Sequence, residues 1–353
     1  MKAARLTAAK EISLAEVPDP GLPEPGEVLI EVLSVGICGS DLHMYETGRI
    51  GGLRVEKPLI QGHEFSGRIL ATGQGACGES GKVLAQGMRV AVDPHVACGE
   101  CEQCREGNPN LCPHHYFHGV PPTDGALCQR MRLPARNCHP VPESMSNATA
   151  ALLEPLGVSL HAADLGRIRV GDTVAVIGCG PIGILIARLA LLSGASLVRA
   201  FDLLEWRVRF AAEWGIAAHR VHGNEAVEII REETRGRGVD VAIEAAWSDH
   251  SVQQSVEMAR PGGRVVIVGI PNDDRFTMCH SEARRKGLTI RMARRMKHTY
   301  PRATSLAVGN PPALPLDEMV THVYPLDQAP QAFADTAGYR NGLLKALVEI
   351  TPD

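Results

Sequence analysis

Four cysteines lie close together in the stretch CGECEQCREGNPNLC, namely Cys98, Cys101, Cys104 and Cys112. Three of them are spaced three residues apart and the fourth follows eight residues later, so one loop can place all four around a single tetrahedral ion. Because all four ligands are sulfur, no coordination position remains for a substrate, and the pattern predicts a structural zinc. Four unrelated surface thiols are the weaker alternative, because exposed thiols are open to oxidation and contribute nothing to packing.

Two further polar loops carry groups that bind metals. GICGSDLH, residues 36–43, contains Cys38, and GHE, residues 62–64, contains His63. A single cysteine or histidine is usually a packing residue. Zinc, however, takes thiolate and imidazole readily. We therefore predict that Cys38 and His63 bind a second zinc.

A carboxylate interrupts an otherwise apolar stretch, ATAALLEPLGVSLHAA, at Glu154 and Pro155. A buried carboxylate is costly unless it is paired, hydrogen-bonded or close to a metal. The competing interpretation is an acid at a helix start whose charge is satisfied by backbone amides. The sequence leaves both possibilities open.

A glycine-rich turn follows the Val-rich run Thr173–Ile177, which predicts a buried strand. Gly178, Gly180 and Gly183 have the spacing G-x-G-x-x-G, and residues 184–192 continue as a helix. The first glycine permits a tight turn, the second lets a pyrophosphate approach the backbone, and the third lets the helix pack on the strand. The amide groups at the helix N-terminus face the phosphates.

An acid closes this pattern. A second strand, residues 197–201, ends at Asp202, nineteen residues after Gly183. A carboxylate there accepts hydrogen bonds from an adenosine ribose and repels a 2′-phosphate. The combination predicts a dinucleotide site that prefers NAD to NADP.

The elements that must position these groups alternate between strand and helix beyond residue 170. Helices are predicted at about 203–214, 224–235 and 251–260, and strands at 239–245 and 264–269. This rhythm implies a parallel sheet with right-handed crossovers. Residues 1–35 instead predict short strands around a Pro/Gly-rich turn, and LLKALVEI predicts a final strand. We therefore expect an α/β protein with two domains, 1–150 completed by about 296–353, and 151–295.

Bulk properties exclude several classes of protein. The net charge of −4 gives no support for nucleic-acid binding. No apolar stretch reaches the roughly 18 residues of a membrane-spanning helix, and the N-terminal residues lack the apolar core of a signal peptide. We therefore expect no membrane partner and a cytoplasmic location, where ten cysteines indicate metal ligands or buried thiols rather than disulfides.

A basic segment, residues 281–302, contains eight Lys or Arg and one Glu. It predicts either a solvated edge or a set of cations that face a substrate. If a strand runs through Arg294, Arg295 and Lys297, neighbours alternate faces, so Arg295 and Lys297 would point the same way. Lysine is mostly exposed in proteins, which leaves a solvated Lys297 as the alternative.

The order GICGSDLH, GHE, CGECEQC with a later Cys, EPL and GCGPIG resembles the zinc-dependent medium-chain dehydrogenases. HMYETGRIGGLRVEKPLIQGHEFSG and LLEPLGVSLHA are most similar to the sorbitol (polyol) dehydrogenase branch. The resemblance spans nearly the whole chain. It implies a GroES-like β-rich catalytic domain that carries both zincs, a Rossmann domain that carries the cofactor, and a homo-dimer or homo-tetramer.

The resemblance also assigns roles to residues. Cys38 and His63 match catalytic zinc ligands. Glu64 matches the carboxylate ligand of the polyol branch, and Glu154 matches an acid that contacts zinc directly or through its water. Which of these two carboxylates binds the zinc stays open. Asp41 matches an acid behind the zinc histidine, which would fix the tautomer of the ring. The proton relay matches Ser40 and His43, and the ribose contacts match Asp202 and Arg207. The arginine on the substrate side matches Arg295. The other cofactor contacts match Pro181, Ile182, Leu203, Gly269 and Ile270.

The implied reaction is the reversible oxidation of a secondary hydroxyl group on a polyol or sugar, with NAD as hydride acceptor. A threonine-type or other secondary-alcohol dehydrogenase shares the same motifs, and a non-catalytic zinc and nucleotide sensor is the alternative from another class. One departure bears on the substrate. Arg294 and Met296 stand where polyol dehydrogenases tend to have aromatic residues, and Lys297 adds a cation, so an acidic or phosphorylated sugar is a further candidate.

Overall fold

The computed structural model describes residues 1–271, 275–309 and 311–350. The chain divides into two compact units, one formed by Met1–Pro155 with Tyr300–Asp353 and the other by Leu156–Thr299. None of the helices in the described ranges has the length and apolar character that crossing a bilayer requires.

The strands, in chain order, are β1 (Lys2–Ala8), β2 (Glu11–Glu16), β3 (Glu27–Gly36), β4 (Arg49–Ile50), β5 (Leu53–Arg54), β6 (Leu59–Ile60), β7 (Glu64–Thr72), β8 (Arg89–Val92), β9 (His95–Val96), β10 (Tyr116–Phe117), β11 (Arg130–Pro134), β12 (Cys138–Pro140), β13 (Thr173–Ile177), β14 (Leu197–Asp202), β15 (Ala218–Arg220), β16 (Val239–Glu244), β17 (Ala259–Ile267), β18 (Thr289–Met292), β19 (Val320–Pro325) and β20 (Lys345–Glu349). The helices are α1 (Gly39–Thr47), α2 (Glu102–Arg105), α3 (Asn147–Ala151), α4 (Leu153–Gly166), α5 (Pro181–Leu192), α6 (Glu205–Glu213), α7 (Glu225–Glu233), α8 (Asp249–Met258), α9 (His280–Lys286), α10 (Tyr300–Ala307) and α11 (Ala329–Ala337).

The first unit is built mainly from antiparallel strands. Its larger sheet has the order β12-β8-β7-β3-β20-β19, with β11 also paired to β3, and its smaller sheet has the order β2-β1-β6. Buried side chains of β3, including Val28, Ile30 and Val35, belong to its apolar core. At the end of β3, Gly36 pairs with Glu64 on one side and with Leu347 on the other. The sheet therefore brings the GICGSDLH loop, the GHE loop and the start of the final strand to one place.

The second unit contains a six-stranded parallel sheet in the order β15-β14-β13-β16-β17-β18. Helices follow the strands along the chain, as the alternating sequence pattern predicts. The strand order reverses direction between β13 and β16, and the carboxyl ends of strands at such a switch point form the usual binding crevice of this architecture. The predicted α/β fold, with a β-rich domain and a Rossmann-type parallel sheet, is confirmed.

Two local expectations need correction. The apolar stretch at residues 148–163, for which the sequence predicts one helix interrupted at Glu154 and Pro155, forms two helices whose break lies earlier, because α3 ends at Ala151 and α4 begins at Leu153. Pro155 lies in the first turn of α4, where the lack of an amide proton costs little. The strand on which the shared direction of Arg295 and Lys297 depends is not formed at residues 294–297: β18 ends at Met292, and Arg295 has a left-handed backbone with φ 55°. The argument from alternating faces therefore does not apply to Arg295 and Lys297.

Candidate metal centres and dinucleotide site

The four predicted structural cysteines form a cluster in the loop after β9. Their sulfur atoms all lie within 4.8 Å of one another. The Sγ–Sγ distances are 3.5 Å for Cys101–Cys104 and Cys98–Cys112, 3.8 Å for Cys101–Cys112 and 4.0 Å for Cys98–Cys104. A tetrahedral zinc with bonds of about 2.3 Å needs edges of about 3.8 Å. All four thiols are free of disulfides, so the donor set fits zinc in both chemistry and size.

The backbone around these thiols also favours a bound cation. Amide groups of Glu100 and Cys101 donate toward the Cys98 sulfur and lower the pKa of that thiol to about 6. Burial instead raises the pKa of Cys104 to about 12. The backbone donors thus favour the thiolate form of Cys98, and a bound zinc would favour the thiolate form of Cys104, because zinc binds the deprotonated sulfur.

The Asp41 carboxylate holds both Cys38 and His63. Cys38 is the residue that precedes α1, and its amide donates to Asp41 Oδ2 at 3.0 Å. Oδ1 of the same carboxylate lies 3.3 Å from His63 Nδ1. Asp41 has no exposed surface and His63 is 4% exposed. Because Nδ1 faces the carboxylate, Nε2 is the nitrogen that can bind a metal, as expected when an acid orients a ligand histidine.

Electrostatics at His63 favour a positive charge. Burial by itself would lower the pKa of the imidazole, but Asp41 and Cys38 outweigh burial and raise the pKa well above its usual value. This thiolate, imidazole and carboxylate set is the donor chemistry of a zinc site, and a bound cation would supply the charge that the surroundings favour.

The two predicted relay residues lie in the first turns of α1. Ser40 is half-buried, and its Oγ lies 3.4 Å from His63 Nε2. His43 follows three residues later on the same helix and is buried. The structure thus brings Ser40 to the predicted metal ligand, with His43 one helical turn farther along.

Glu64 lies at the start of β7 and is bound to a lysine that the sequence analysis missed. Lys345 Nζ donates to Glu64 Oε1 at 2.9 Å, to Glu64 Oε2 at 2.8 Å and to the Ile37 carbonyl at 3.0 Å. A Cβ on Gly36 would overlap the Glu64 carboxylate, so this glycine makes room for it. The signal was present in LLKALVEI: a lysine in an apolar strand is rare unless a carboxylate meets it.

Glu154 is the second candidate carboxylate, and it is 5% exposed near the start of α4. Burial raises the pKa of its carboxyl to about 8, with His63 opposing the shift and Glu64 and Asp93 adding to it. His63 and Glu64 are therefore close enough to Glu154 to affect the charge of its carboxyl group. Among the described residues, however, Cys38, His63 and the two glutamates do not form a set as tight as the four cysteines.

The glycine turn of the second unit has the predicted geometry. Gly178 has φ 104°, and a Cβ on it would lie 2.6 Å from the Ala245 carbonyl. A Cβ on Gly183 would overlap the Gly178 carbonyl. Gly180, which precedes α5, is different, because the nearest atom to its Cβ position is Arg207 Nη1 at 4.0 Å. The turn thus keeps open space above its middle glycine, where a pyrophosphate would bind.

Asp202 ends β14 and is already part of the turn. Its Oδ2 accepts the Cys179 amide at 2.7 Å, and its Oδ1 accepts the Leu204 amide at 2.9 Å. Arg207 Nη1, from α6, lies 3.7 Å from Oδ2. The carboxylate therefore links the glycine turn to the end of the second strand, with one cation beside it.

The remaining predicted cofactor residues lie at the same carboxyl edge of the sheet. Pro181 and Ile182 begin α5, and Leu203 follows β14 with 62% of its surface exposed. Gly269 and Ile270 lie two and three residues beyond the end of β17, and Ile270 is 44% exposed. Gly269 donates its amide to Glu244 Oε2 at 3.1 Å. Arg295 lies in the irregular segment after β18 and is half-buried.

Comparison with known proteins agrees with both halves of this description. Residues 24–143 match the model for the alcohol dehydrogenase GroES-like domain, and residues 181–309 match the model for zinc-binding dehydrogenases. Sorbitol dehydrogenase of Bacillus subtilis is 37% identical over 99% of this chain and 97% of its own.

Solved structures give the same result. An alcohol dehydrogenase from Thermus sp. ATN1 superposes with a TM-score of 0.88 at 31% identity, covering 99% of this chain and 100% of that one. Galactitol-1-phosphate dehydrogenase from Escherichia coli superposes with a TM-score of 0.86 at 26% identity, with the same coverage. The chain therefore belongs to the zinc-dependent medium-chain dehydrogenases, in the polyol dehydrogenase branch, an enzyme family with zinc and a nicotinamide dinucleotide as cofactors.

Proposed function

We propose that this enzyme reversibly oxidises a secondary hydroxyl group of a polyol or sugar to a ketone, with NAD as the hydride acceptor. The observation that carries the proposal is the Asp41 carboxylate, which holds Cys38 and turns His63 Nε2 away from itself. This arrangement would leave Cys38 and His63 Nε2 available to a metal, and a set of two such ligands and one carboxylate would leave a coordination position open for substrate. The similarity to a sorbitol dehydrogenase supports a polyol as the substrate class.

Two zinc sites with different roles follow from the donor sets. Cys98, Cys101, Cys104 and Cys112 would hold a structural ion, because four thiolates complete its coordination. Cys38 and His63 would hold the catalytic ion. When bound there, zinc supplies Lewis-acid activation of the substrate hydroxyl.

A carboxylate would complete the catalytic set. Both Glu64 and Glu154 are candidates, and the Lys345 ammonium favours Glu154 because it competes for both oxygens of Glu64. Of the two, Glu154 is the one whose buried carboxyl would gain most from a nearby cation, since burial disfavours its charged form.

The proton of the substrate hydroxyl would leave through the protein. Ser40 Oγ lies 3.4 Å from His63 Nε2, the nitrogen that would bind the metal, and could accept that proton. His43, one turn along α1, would pass it on toward solvent as a general base. A bound nicotinamide would supply the hydride acceptor, and the glycine turn would hold the pyrophosphate of the cofactor.

Asp202 supports NAD over NADP. A 2′-phosphate would meet this carboxylate, and the like-charge contact is unfavourable by a few kcal/mol, on the order expected at intermediate dielectric. Arg207, 3.7 Å away, offsets part of this repulsion, so the preference should be large rather than absolute.

An anionic substrate is the second candidate. Arg295 and Lys297 are half-buried rather than fully solvated, and a structural neighbour acts on galactitol 1-phosphate. Kinetics of Lys297→Met on a neutral polyol and on its acidic or phosphorylated counterpart test this role. A loss of kcat/KM confined to the anionic substrate supports this role. An equal effect of Lys297→Met on both substrates would indicate that Lys297 does not contact the anionic group.

The experiment that tests the main proposal combines metal analysis with a substrate panel. The dialysed enzyme should retain two zinc ions per chain and reduce NAD with a polyol. The panel should include sorbitol, xylitol, an aldonic acid, a polyol phosphate and L-threonine. The comparison separates a polyol dehydrogenase from a dehydrogenase of acidic or phosphorylated sugars and from a threonine-type dehydrogenase. Cys38→Ser should abolish turnover in a folded chain. No NAD reduction with any polyol would refute the proposal, and bound zinc and NAD without turnover would indicate a sensor.

We also propose a homo-dimer or homo-tetramer in the cytoplasm. The cysteines of the chain are free thiols, which suits a reducing compartment. Light scattering after size-exclusion chromatography tests the oligomer, and localisation of a tagged chain tests the compartment.

A further inference from the structure

A buried carboxylate with no assigned role lies at the end of β16. Glu244 has no exposed surface. Its Oε1 accepts the Ala246 amide at 2.7 Å, the Trp247 amide at 2.5 Å and the Ser251 hydroxyl at 2.8 Å. Its Oε2 accepts the Gly269 amide at 3.1 Å. One side chain therefore joins the loop after β16, the first turn of α8 and the loop after β17.

The loop that Glu244 holds is strained. Trp247 has φ 59°, in the left-handed region, where a bulky side chain is a true outlier. Such a conformation costs about 1–3 kcal/mol and persists only when its surroundings enforce it. The Glu244 hydrogen bond to the Trp247 amide is one such constraint. The close approach of Gly269 is another, because a Cβ there would lie 2.6 Å from the Trp247 nitrogen.

The position of this loop relates it to the dinucleotide site. β13 and β16 are the neighbouring strands at which the order of the sheet reverses. The glycine turn follows β13 and the strained loop follows β16, and the two loops touch, since Gly178 approaches the Ala245 carbonyl and the Ala246 amide. Ligands of such sheets bind in the crevice between these loops.

We propose that Glu244 is a positioning residue for the dinucleotide. It fixes the loop from Ala245 to Trp247 and the Gly269 amide in one arrangement beside the glycine turn. The loop is then already ordered when the cofactor binds. No binding energy is spent on ordering it, which preserves the affinity for the cofactor. The proposal rests on the proposed use of NAD, and it adds a residue that acts on binding through the backbone of other residues.

Glu244→Gln is a direct test because an amide cannot replace this carboxylate. In either orientation its NH₂ group faces a backbone donor, the Gly269 amide in one case and the Ala246 and Trp247 amides in the other. The matched control is Asp240→Asn. Asp240 is a buried, multiply hydrogen-bonded acid near the opposite end of the same strand, away from the glycine turn.

The measurements are the Kd of NAD by isothermal titration calorimetry, the KM for NAD against kcat, and the Tm of the cofactor-free protein. Glu244→Gln should raise Kd and KM about tenfold or more and keep kcat at saturating NAD within about twofold. Asp240→Asn should lower the Tm and leave Kd unchanged. If both variants lose stability and neither changes Kd, Glu244 is only structural and the proposal is overturned.

Trp247→Gly provides a second test that does not depend on the folding of Glu244→Gln. Glycine adopts φ 59° without strain and leaves the loop free to move, so the Kd should also rise. In the Trp247→Gly background, Glu244→Gln should raise the Kd of NAD by a smaller factor than it does in the wild type, because both substitutions act through the same loop. Additive effects on Kd, or a Trp247→Gly variant with wild-type Kd, would overturn the proposal. A wild-type enzyme that binds no NAD would instead refute the proposed function.

Discussion

Replacing Lys345 with methionine should strongly destabilise the first unit. The Lys345 side chain is 5% exposed and its partner Glu64 is 1% exposed, so neither charge can be solvated when the other is removed. The substitution also takes a donor from the Ile37 carbonyl. Methionine keeps most of the length and apolar volume of the lysine stem, so the loss reports on charge rather than on packing.

The magnitude follows from the separation of the ions. At 2.8 Å, two unit charges attract by about 6 kcal/mol at an effective dielectric constant of about 20. The lost hydration of both ions offsets much of this attraction, and breaking a buried pair by removing one partner typically costs about 3–5 kcal/mol. For a unit of this size, each kcal/mol lowers the Tm by about 2–4 °C, so Lys345→Met should lower it by roughly 6–20 °C.

Calorimetry is the appropriate assay, because Trp206, Trp214 and Trp247 all lie in the other unit and their fluorescence would not report on this one. The control Lys57→Met changes an exposed lysine and should leave the Tm almost unchanged. The double variant Glu64→Gln/Lys345→Met should recover much of the loss, since no uncompensated charge remains. A Tm for Lys345→Met within about 2 °C of wild type, or no recovery in the double variant, would refute the reasoning.

Three other predictions address the metal, the cofactor and pH. Cys104→Ser should lower the zinc content from two ions to one and reduce the Tm, because a structural site contributes folding free energy. Cys77→Ser is the control. An unchanged zinc content and Tm for Cys104→Ser would exclude the structural zinc site. The enzyme should prefer NAD to NADP strongly in kcat/KM, and Asp202→Ser should narrow the difference; equal values in the wild type would exclude the role of Asp202. Burial by itself would raise the pKa of Asp240, but hydrogen bonds from Arg237, the Thr173 amide and Arg260 outweigh it and hold that pKa far below its usual range. The stability that Asp240 contributes should therefore be complete above about pH 4, near the pKa of an unfolded aspartate, and should fall as the pH drops toward the folded pKa. Urea midpoints of wild type and Asp240→Asn should differ at pH 7 and converge in acid, and a difference that does not shrink would contradict the assignment.

Local spacing was enough to predict the features whose parts are neighbours in sequence. The four cysteines lie within one loop, so their intervals alone indicate that they can surround an ion, and the structure places their sulfur atoms at tetrahedral distances. The glycine turn is likewise local, because the strand, the turn and the helix are consecutive and each glycine has its own steric requirement. The resemblance in motif order supplied the family, which the comparisons confirm.

The tertiary structure decided the features that depend on the register of distant strands. Glu64 and Lys345 are 281 residues apart and meet only because β7 and β20 flank the end of β3. Glu244 joins loops that follow two different strands, and nothing in VAIEAAW shows that its four donors converge. The alternation considered for residues 294–297 depends on register in the same way, since strand length is set by pairing with a neighbour and the pairing of β18 with β17 ends at Met292. Sequence spacing specifies which groups can act together within a loop, whereas sheet register specifies which loops meet.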